Sequence, residues 1–344
     1  MKKYLHFITK PYSISIIKPL IEEIERQKYG KSLIFIPLSM ENNIRSDLEY
    51  VTSVSEAINF NPDVVFVPGN VVHDKIPGLK VQIFHGLCDE KGGHFKTTGF
   101  FDLYCTSGPE ITERFIKLSE KFRHFLVRET GWTRVDEILK PFERESILLN
   151  LDIDPKKRIV LYAPTFSPKF KSSQTVLPVI KDLPQENEVW IIKFHDLMSR
   201  NEKEYIMNLN KDRFRISTQP SIIPLLQVAD VLISDTSSVV YEFILLDKPV
   251  ITINSRSRLE KGINISDITQ LREAIDRSIA KPEEYSKNRQ RVIKGIQKYR
   301  DRQNCKRVLE AVDSVIEHSE ISSLRRKPLN IYRKYRVRKK FGYW

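Results

Sequence analysis

The sequence predicts an α/β protein made of two Rossmann-like, doubly wound domains. Three observations lead there: short β-branched runs alternate with helical patterns through both halves, the alternation restarts after a polar turn at residues 152–158, and the apolar runs end in polar residues. A length of 344 residues exceeds what one core usually holds, and 40% hydrophobic with 29% charged residues is ordinary for a globular chain.

The first half opens on the strand pattern YLHFIT (4–9). An amphipathic helix over 14–27 ends at Gly30, and SLIFIP (32–37) resumes as strand. DVVFVP (63–68), KVQIFHG (80–86) and DLYCTS (102–107) follow. A helix over 109–121 and a strand HFLVRE (124–129) close the half. Residues 141–154 read as a helix and a turn, taken as the boundary. The second half runs RIVLYAPTF (158–166), VWIIKFH (189–195), FRIST (214–218), ADVLISD (229–235) and PVITI (249–253), with helices over 175–181, 202–210 and 221–227 between them. From 267 to about 318 the pattern is helical. The expected division is therefore 1–148, an N-terminal Rossmann-like domain; 149–320, a C-terminal Rossmann-like domain; and 321–344, a basic aromatic tail. Two such halves closed by C-terminal helices describe the GT-B architecture, whose ligand is expected in the cleft between the halves.

The most telling segment is VLISDTSSVVYEFILLDKPVI (231–251). VLIS is a buried strand, Asp235-Thr236-Ser237-Ser238 can start a helix, and Asp247-Lys248-Pro249 stops it. Hydroxyl side chains then stand at a strand's C-terminal edge beside a helix N-terminus, a setting suited to an anion such as a phosphate.

No apolar run approaches the ~20 residues that span a bilayer. Lys10, Pro11 and Lys18 interrupt any leader core, so a cytoplasmic location is expected. Cys88, Cys105 and Cys305 are odd in number and widely spaced, which suggests neither a zinc site nor a disulfide scaffold. The net charge of +13 is concentrated: nine bases and no acid follow Glu320, and the remaining 48 bases face 44 acids.

Four strand ends carry the candidate chemistry. His85 follows an apolar strand and precedes Gly86; it can take a proton from an attacking hydroxyl, or simply satisfy a backbone group. The loop after it holds Lys91, Gly92, Gly93, His94 and Gly99, with Lys91 either a phosphate contact or a solvated lysine. Thr165 ends the strand of the second half, and Lys193 and His195 end the next, a pair able to neutralise phosphate oxygens or to stand solvated. Asp235 reads as an N-cap ahead of Thr236, Ser237 and Ser238. Glu242 lacks a capping partner, because position 239 is Val; it is either a ribose contact or an exposed helix glutamate.

The blocks FHG…K, DLYCTSGPEITERF, LYAPTF, IIKFH and LLQVADVLISDTSSVVYEFILLDKPVI resemble the CDP-glycerol glycerophosphotransferase family of teichoic-acid-type enzymes, over about 81–253. The resemblance implies a GT-B fold with 1–148 on the acceptor side and 149–320 on the nucleotide-donor side, a CDP-activated donor, and transfer without a metal or other cofactor. It places the family's HG histidine on His85 as general base and its RPH histidine on His195, beside the pyrophosphate or leaving group. The DxSS hydroxyls fall on Ser237 and Ser238 with Asp235 at their head, and the acidic residue of the next helix falls on Glu242. The chain departs from the family where HGTPLK becomes HGLCDEK and where RPHP becomes Lys193-Phe194-His195-Asp196. After Ile253 the arginine-glycine segment is reduced to Asn254-Ser255-Arg256-Ser257-Arg258 or Lys261-Gly262.

The tail interleaves its bases with Tyr332, Tyr335, Phe341, Tyr343 and Trp344. Three readings fit: an anionic membrane surface, where each base contributes ~1 kcal/mol and aromatics sit at the interface; a packed helix with a solvated basic face; or nucleic acid, the last of these not expected. The function expected is transfer of a glycerol-phosphate or similar polyol-phosphate unit from CDP-glycerol to a hydroxyl of a lipid-linked or surface glycan, at the inner face of the membrane, with release of CMP. The alternatives are a GT-B glycosyltransferase or epimerase using a UDP- or CMP-sugar, and a non-catalytic membrane-associated assembly subunit.

Overall fold

A computed structural model describes residues 1–43, 48–89, 93–194, 198–219 and 221–344. The chain forms two compact units, one of residues 1–137 with 295–344 and the other of residues 138–294.

In the first unit, seven strands form one sheet. They are β1 (Lys2–Phe7), β2 (Gly30–Phe35), β3 (Tyr50–Val51), β4 (Val64–Val67), β5 (Leu79–Gln82), β6 (Leu103–Thr106) and β7 (Leu126–Glu129). The order is β3-β2-β1-β4-β5-β6-β7, and every pair is parallel. Strand order reverses between β1 and β4, which makes their C-terminal ends the switch point where α/β sheets bind ligands. Leu5, Phe7, Phe35, Val65 and Val67 fill one core cluster, and the chain returns late in its length to add Val337 to it.

The second unit's sheet contains β8 (Arg158–Tyr162), β9 (Glu188–Ile192), β10 (Phe214–Ile216), β11 (Val231–Ser234), β12 (Val250–Ile253) and β13 (Ile263–Ile265). Its order is β10-β9-β8-β11-β12-β13, again all parallel, with the reversal between β8 and β11. Tyr162, Trp190, Ile233, Ile251 and Leu271 belong to its core. The expected α/β class with two doubly wound sheets is the fold observed.

The domain limits differ from the expected ones. Residues 295–344 belong with the first unit, and the division before the second falls at 137 rather than 148. The reasons are buried polar contacts. The Asp136 carboxylate accepts the backbone N–H groups of Asn304 (3.1 Å) and Cys305 (2.8 Å), capping the helix Asn304–Glu317 from a distant segment. Gln297 Oε1 accepts the Trp132 N–H at 3.0 Å, and the Ser107 hydroxyl donates to the Ile296 carbonyl at 2.7 Å. The expected continuous helical region is broken into Leu271–Ala280, Ser286–Ile296 and Asn304–Glu317.

Candidate active site

At the second unit's switch point, β8 runs out into Ala163, Pro164 and Thr165, while β11 runs out into Asp235. Ser234 locks the two ends together by donating its hydroxyl to the Ala163 carbonyl at 2.6 Å. Asp235 is only 1% exposed. Its carboxylate accepts the Thr165 N–H at 3.0 and 3.1 Å, the Ser172 N–H at 2.9 Å and the Ser172 hydroxyl at 3.0 Å. Ser172 Oγ also meets the Tyr162 hydroxyl at 3.1 Å. Asp235 is thus the anchor of the loop 163–172, not the expected helix N-cap. That place is taken by Ser237, whose backbone is extended (φ −131°, ψ 146°) and whose side chain makes no capping bond to the helix Ser238–Ile244.

Thr165 and Thr236 are buried in this arrangement, and Ser237 and Ser238 are half-buried. Ser237 and Ser238 are thus the more exposed half of the DTSS segment. Glu242 is 6% exposed, so the reading as a plain exposed glutamate does not hold. Lys193 follows β9; its backbone N–H donates to the Tyr162 carbonyl at 3.0 Å and its ammonium donates to the Gln219 carbonyl at 2.6 Å. The loop 163–172 has a second tether, which sequence reasoning did not single out. Glu202 accepts the hydroxyls of Ser173 and Ser199 at 2.5 Å each and the Lys171 ammonium at 2.9 Å. Burial raises the Glu202 carboxyl, but those two hydroxyls and Lys171 outweigh it and hold the group at about 2. The signal was available, since Ser199 and Glu202 stand at capping-box spacing.

In the first unit, His85 lies three residues beyond β5 and is exposed, whereas Gly86 is buried. Its ring centroid lies 6.5 Å from that of Tyr12, which follows β1, so the two rings approach each other beyond the C-terminal ends of β1 and β5. The residue before it, Phe84, has φ +57°, a left-handed conformation uncommon for a bulky side chain and costly enough to need support. Support comes from Trp132, whose indole N–H donates to the Phe84 carbonyl at 3.1 Å, and from His94, whose ring stacks on Phe84 at 5.0 Å. Burial, reinforced by the neighbouring His85, lowers the His94 imidazole to about 4. Gly99, read with this loop, has φ +77° and serves another purpose: Pro328 and Asn330 occupy the space a Cβ would need. Lys91 and His195 lie outside the described residues. Among the described residues no three His, Cys, Asp or Glu side chains come together as metal ligands.

Two Rossmann-like sheets with polar switch points place the chain in the GT-B class of folds. Residues 89–255 match the family model of CDP-glycerol:poly(glycerophosphate) glycerophosphotransferase, the family read from the sequence motifs. Over 198 residues the chain is 28% identical to the teichoic acid poly(ribitol-phosphate) polymerase of Bacillus spizizenii, covering 50% of this chain and 31% of that protein. Over 155 residues it is 29% identical to the teichoic acid glycerol-phosphate primase of Bacillus subtilis, covering 43% of this chain and 38% of that protein. The alignments thus take in well under half the length of these curated relatives. In fold, the structure of the wall teichoic acid polymerase TagF superposes with a TM-score of 0.68 at 15% identity, covering 92% of this chain and 89% of that one. The S. aureus MnaA–UDP structure superposes with a TM-score of 0.66 at 13% identity, covering 92% and 97%.

Proposed function

We propose that the protein transfers a glycerol-phosphate unit from CDP-glycerol to a hydroxyl of a lipid-linked or surface glycan and releases CMP. The observation that carries this reading is the family match over 89–255, because that segment contains Thr165, Lys193, His195, Asp235 to Ser238 and Glu242. His85 takes the proton of the acceptor hydroxyl, whose oxygen attacks the β-phosphorus of the donor. The bond between that phosphorus and the bridging oxygen breaks, and CMP leaves with the electron pair. The hydroxyls of Ser237 and Ser238 hold diphosphate oxygens, and Lys193 and His195 offset the charge gathering on CMP. Lys91 adds a phosphate contact and Glu242 a ribose contact. Asp235 and Thr165 act one step back, by fixing the loop that frames the nucleotide. Positioning and electrostatics supply most of the acceleration in such a transfer. The lipid-linked acceptor would place the protein on the inner face of the membrane, as a peripheral partner of it.

Incubation with CDP-glycerol and a lipid-linked acceptor should release CMP, and His85→Ala should slow turnover about a hundredfold or more. CDP-ribitol belongs in the same assay, because the relatives include a poly(ribitol-phosphate) polymerase. Release of CMP by His85→Ala at the wild-type rate would remove the base assignment. The shared fold with MnaA favours one rival, a UDP-sugar enzyme. Thermal stabilisation by UDP but not by CDP or CMP would select that rival, since a ligand at a hundredfold its Kd adds ~2.7 kcal/mol.

A further inference from the structure

The terminal segment has two unlike sides. Its inner side is built into the first unit. Val337 is buried in the core cluster, and the Phe341 ring meets Phe7 and Phe35 edge-on at 5.5 and 5.6 Å. Arg338 pairs with Asp74 at 2.6 Å, Lys327 pairs with Asp102 at 2.6 Å, and Asn330 donates to the Thr98 carbonyl. Gly99 makes room for Pro328 and Asn330. The packed-helix reading is therefore correct for half of the segment.

The outer side remains exposed. Leu329, Ile331 and Tyr332 are each at least 70% exposed, and Trp344, at 62%, stacks obliquely on the half-exposed Tyr335. On the helix Ile331–Phe341, positions 332, 335, 336 and 339 recur at three- and four-residue spacing and share one face. Val337 and Phe341, four apart, point the other way. Arg336 and Lys339 join the aromatics on the exposed face, and no acid follows Glu320 to neutralise them.

We propose that this outer face is a docking surface for an anionic phospholipid bilayer, held in one orientation by the inner face. Bases among exposed aliphatic and indole groups match the interface of such a bilayer, where phosphates meet acyl chains. A nucleic-acid surface would not require Leu329 and Ile331 to stand in water. This inference rests on the transfer reading only for its purpose, which is to hold the protein where a lipid-linked acceptor resides.

The test is flotation of the full chain with vesicles of phosphatidylcholine alone or mixed with phosphatidylglycerol, without donor or acceptor. The protein should float with the mixed vesicles only, and less so at high salt. Arg336→Ala with Lys339→Ala should weaken binding about twenty-five-fold, from about fivefold for each base. Leu329→Ser with Ile331→Ser should also weaken it, and neither pair should change the melting temperature. Trp132 and Trp190 are buried, so brominated phospholipid should quench Trp344 selectively. Flotation equal with neutral vesicles, no flotation, undiminished binding by both paired variants, or binding without Trp344 quenching would each overturn the proposal. So would a chain that binds single-stranded nucleic acid and ignores the vesicles. An inactive protein that still floats as described would leave this inference standing, and an active one that does not float would end it alone.

Discussion

Replacing Asp235 separates a structural anchor from a substrate ligand. Its carboxylate accepts two backbone N–H groups and one hydroxyl while nearly excluded from water. Asp235→Asn keeps the shape, retains one acceptor oxygen and turns an NH2 group toward donors that need an acceptor. One or two hydrogen bonds to a charged group are lost, each ~1.5–3 kcal/mol. Relaxation of the Ser172 hydroxyl, which can accept from the new NH2, recovers a part. The expected loss is about 3 kcal/mol in the urea unfolding of the second unit, with CDP binding weakened tenfold or more as the loop 163–172 loses its register. Ser172→Ala should lose less, and the double variant should lose clearly less than the sum, because both singles break the same bond. Had Asp235 acted on the substrate instead, Asp235→Asn would lower CDP affinity and leave the unfolding free energy from urea titration within about 0.5 kcal/mol of wild type. That result would refute the anchor.

Two further outcomes follow from the first unit. Trp132→Phe keeps the ring and removes the N–H that holds the Phe84 carbonyl; stability should fall by about 1 kcal/mol, and kcat should fall with the KM for CDP-glycerol unchanged if Trp132 positions His85. His94, lowered to about 4 by burial, binds its proton more readily when unfolded, so its stabilising effect is complete above about pH 6.5 and is lost as pH falls toward 4. His94→Phe, which preserves the stack on Phe84, should therefore lose less stability than wild type between pH 7 and 4 in thermal melts; equal losses would contradict this.

The strands were legible because a buried parallel strand needs a short β-branched run ended by turn residues, and the runs at 158–166, 189–195 and 229–235 have both. The edge strands Tyr50–Val51 and Ile263–Ile265 were not read, since two or three residues at an edge carry too little pattern. Asp235 was picked out, but its partners lie 70 and 63 residues away, and only the β8–β11 pairing brings them to it. Sequence spacing alone favours the local alternative, a cap. The return of residues 295–344 escaped for the same reason, because contacts such as Asp136 with Asn304 have no periodicity. Glu242 was ambiguous for want of a capping partner, and its burial becomes visible only once the helix Ser238–Ile244 is placed. In the tail, charge was plain from the composition, whereas the division into two faces required knowing that Val337 and Phe341 point inward.

Asp235 and Thr165 build the frame, and the proposed transfer assigns the donor's diphosphate to Ser237 and Ser238. The most direct measurement is a crystal structure of the protein with CDP bound. The account predicts the diphosphate against Ser237 and Ser238, beyond the ends of β8 and β11, with the loop 163–172 still tied to Asp235. Density for the nucleotide elsewhere, or a diphosphate that leaves both serines untouched, would contradict it.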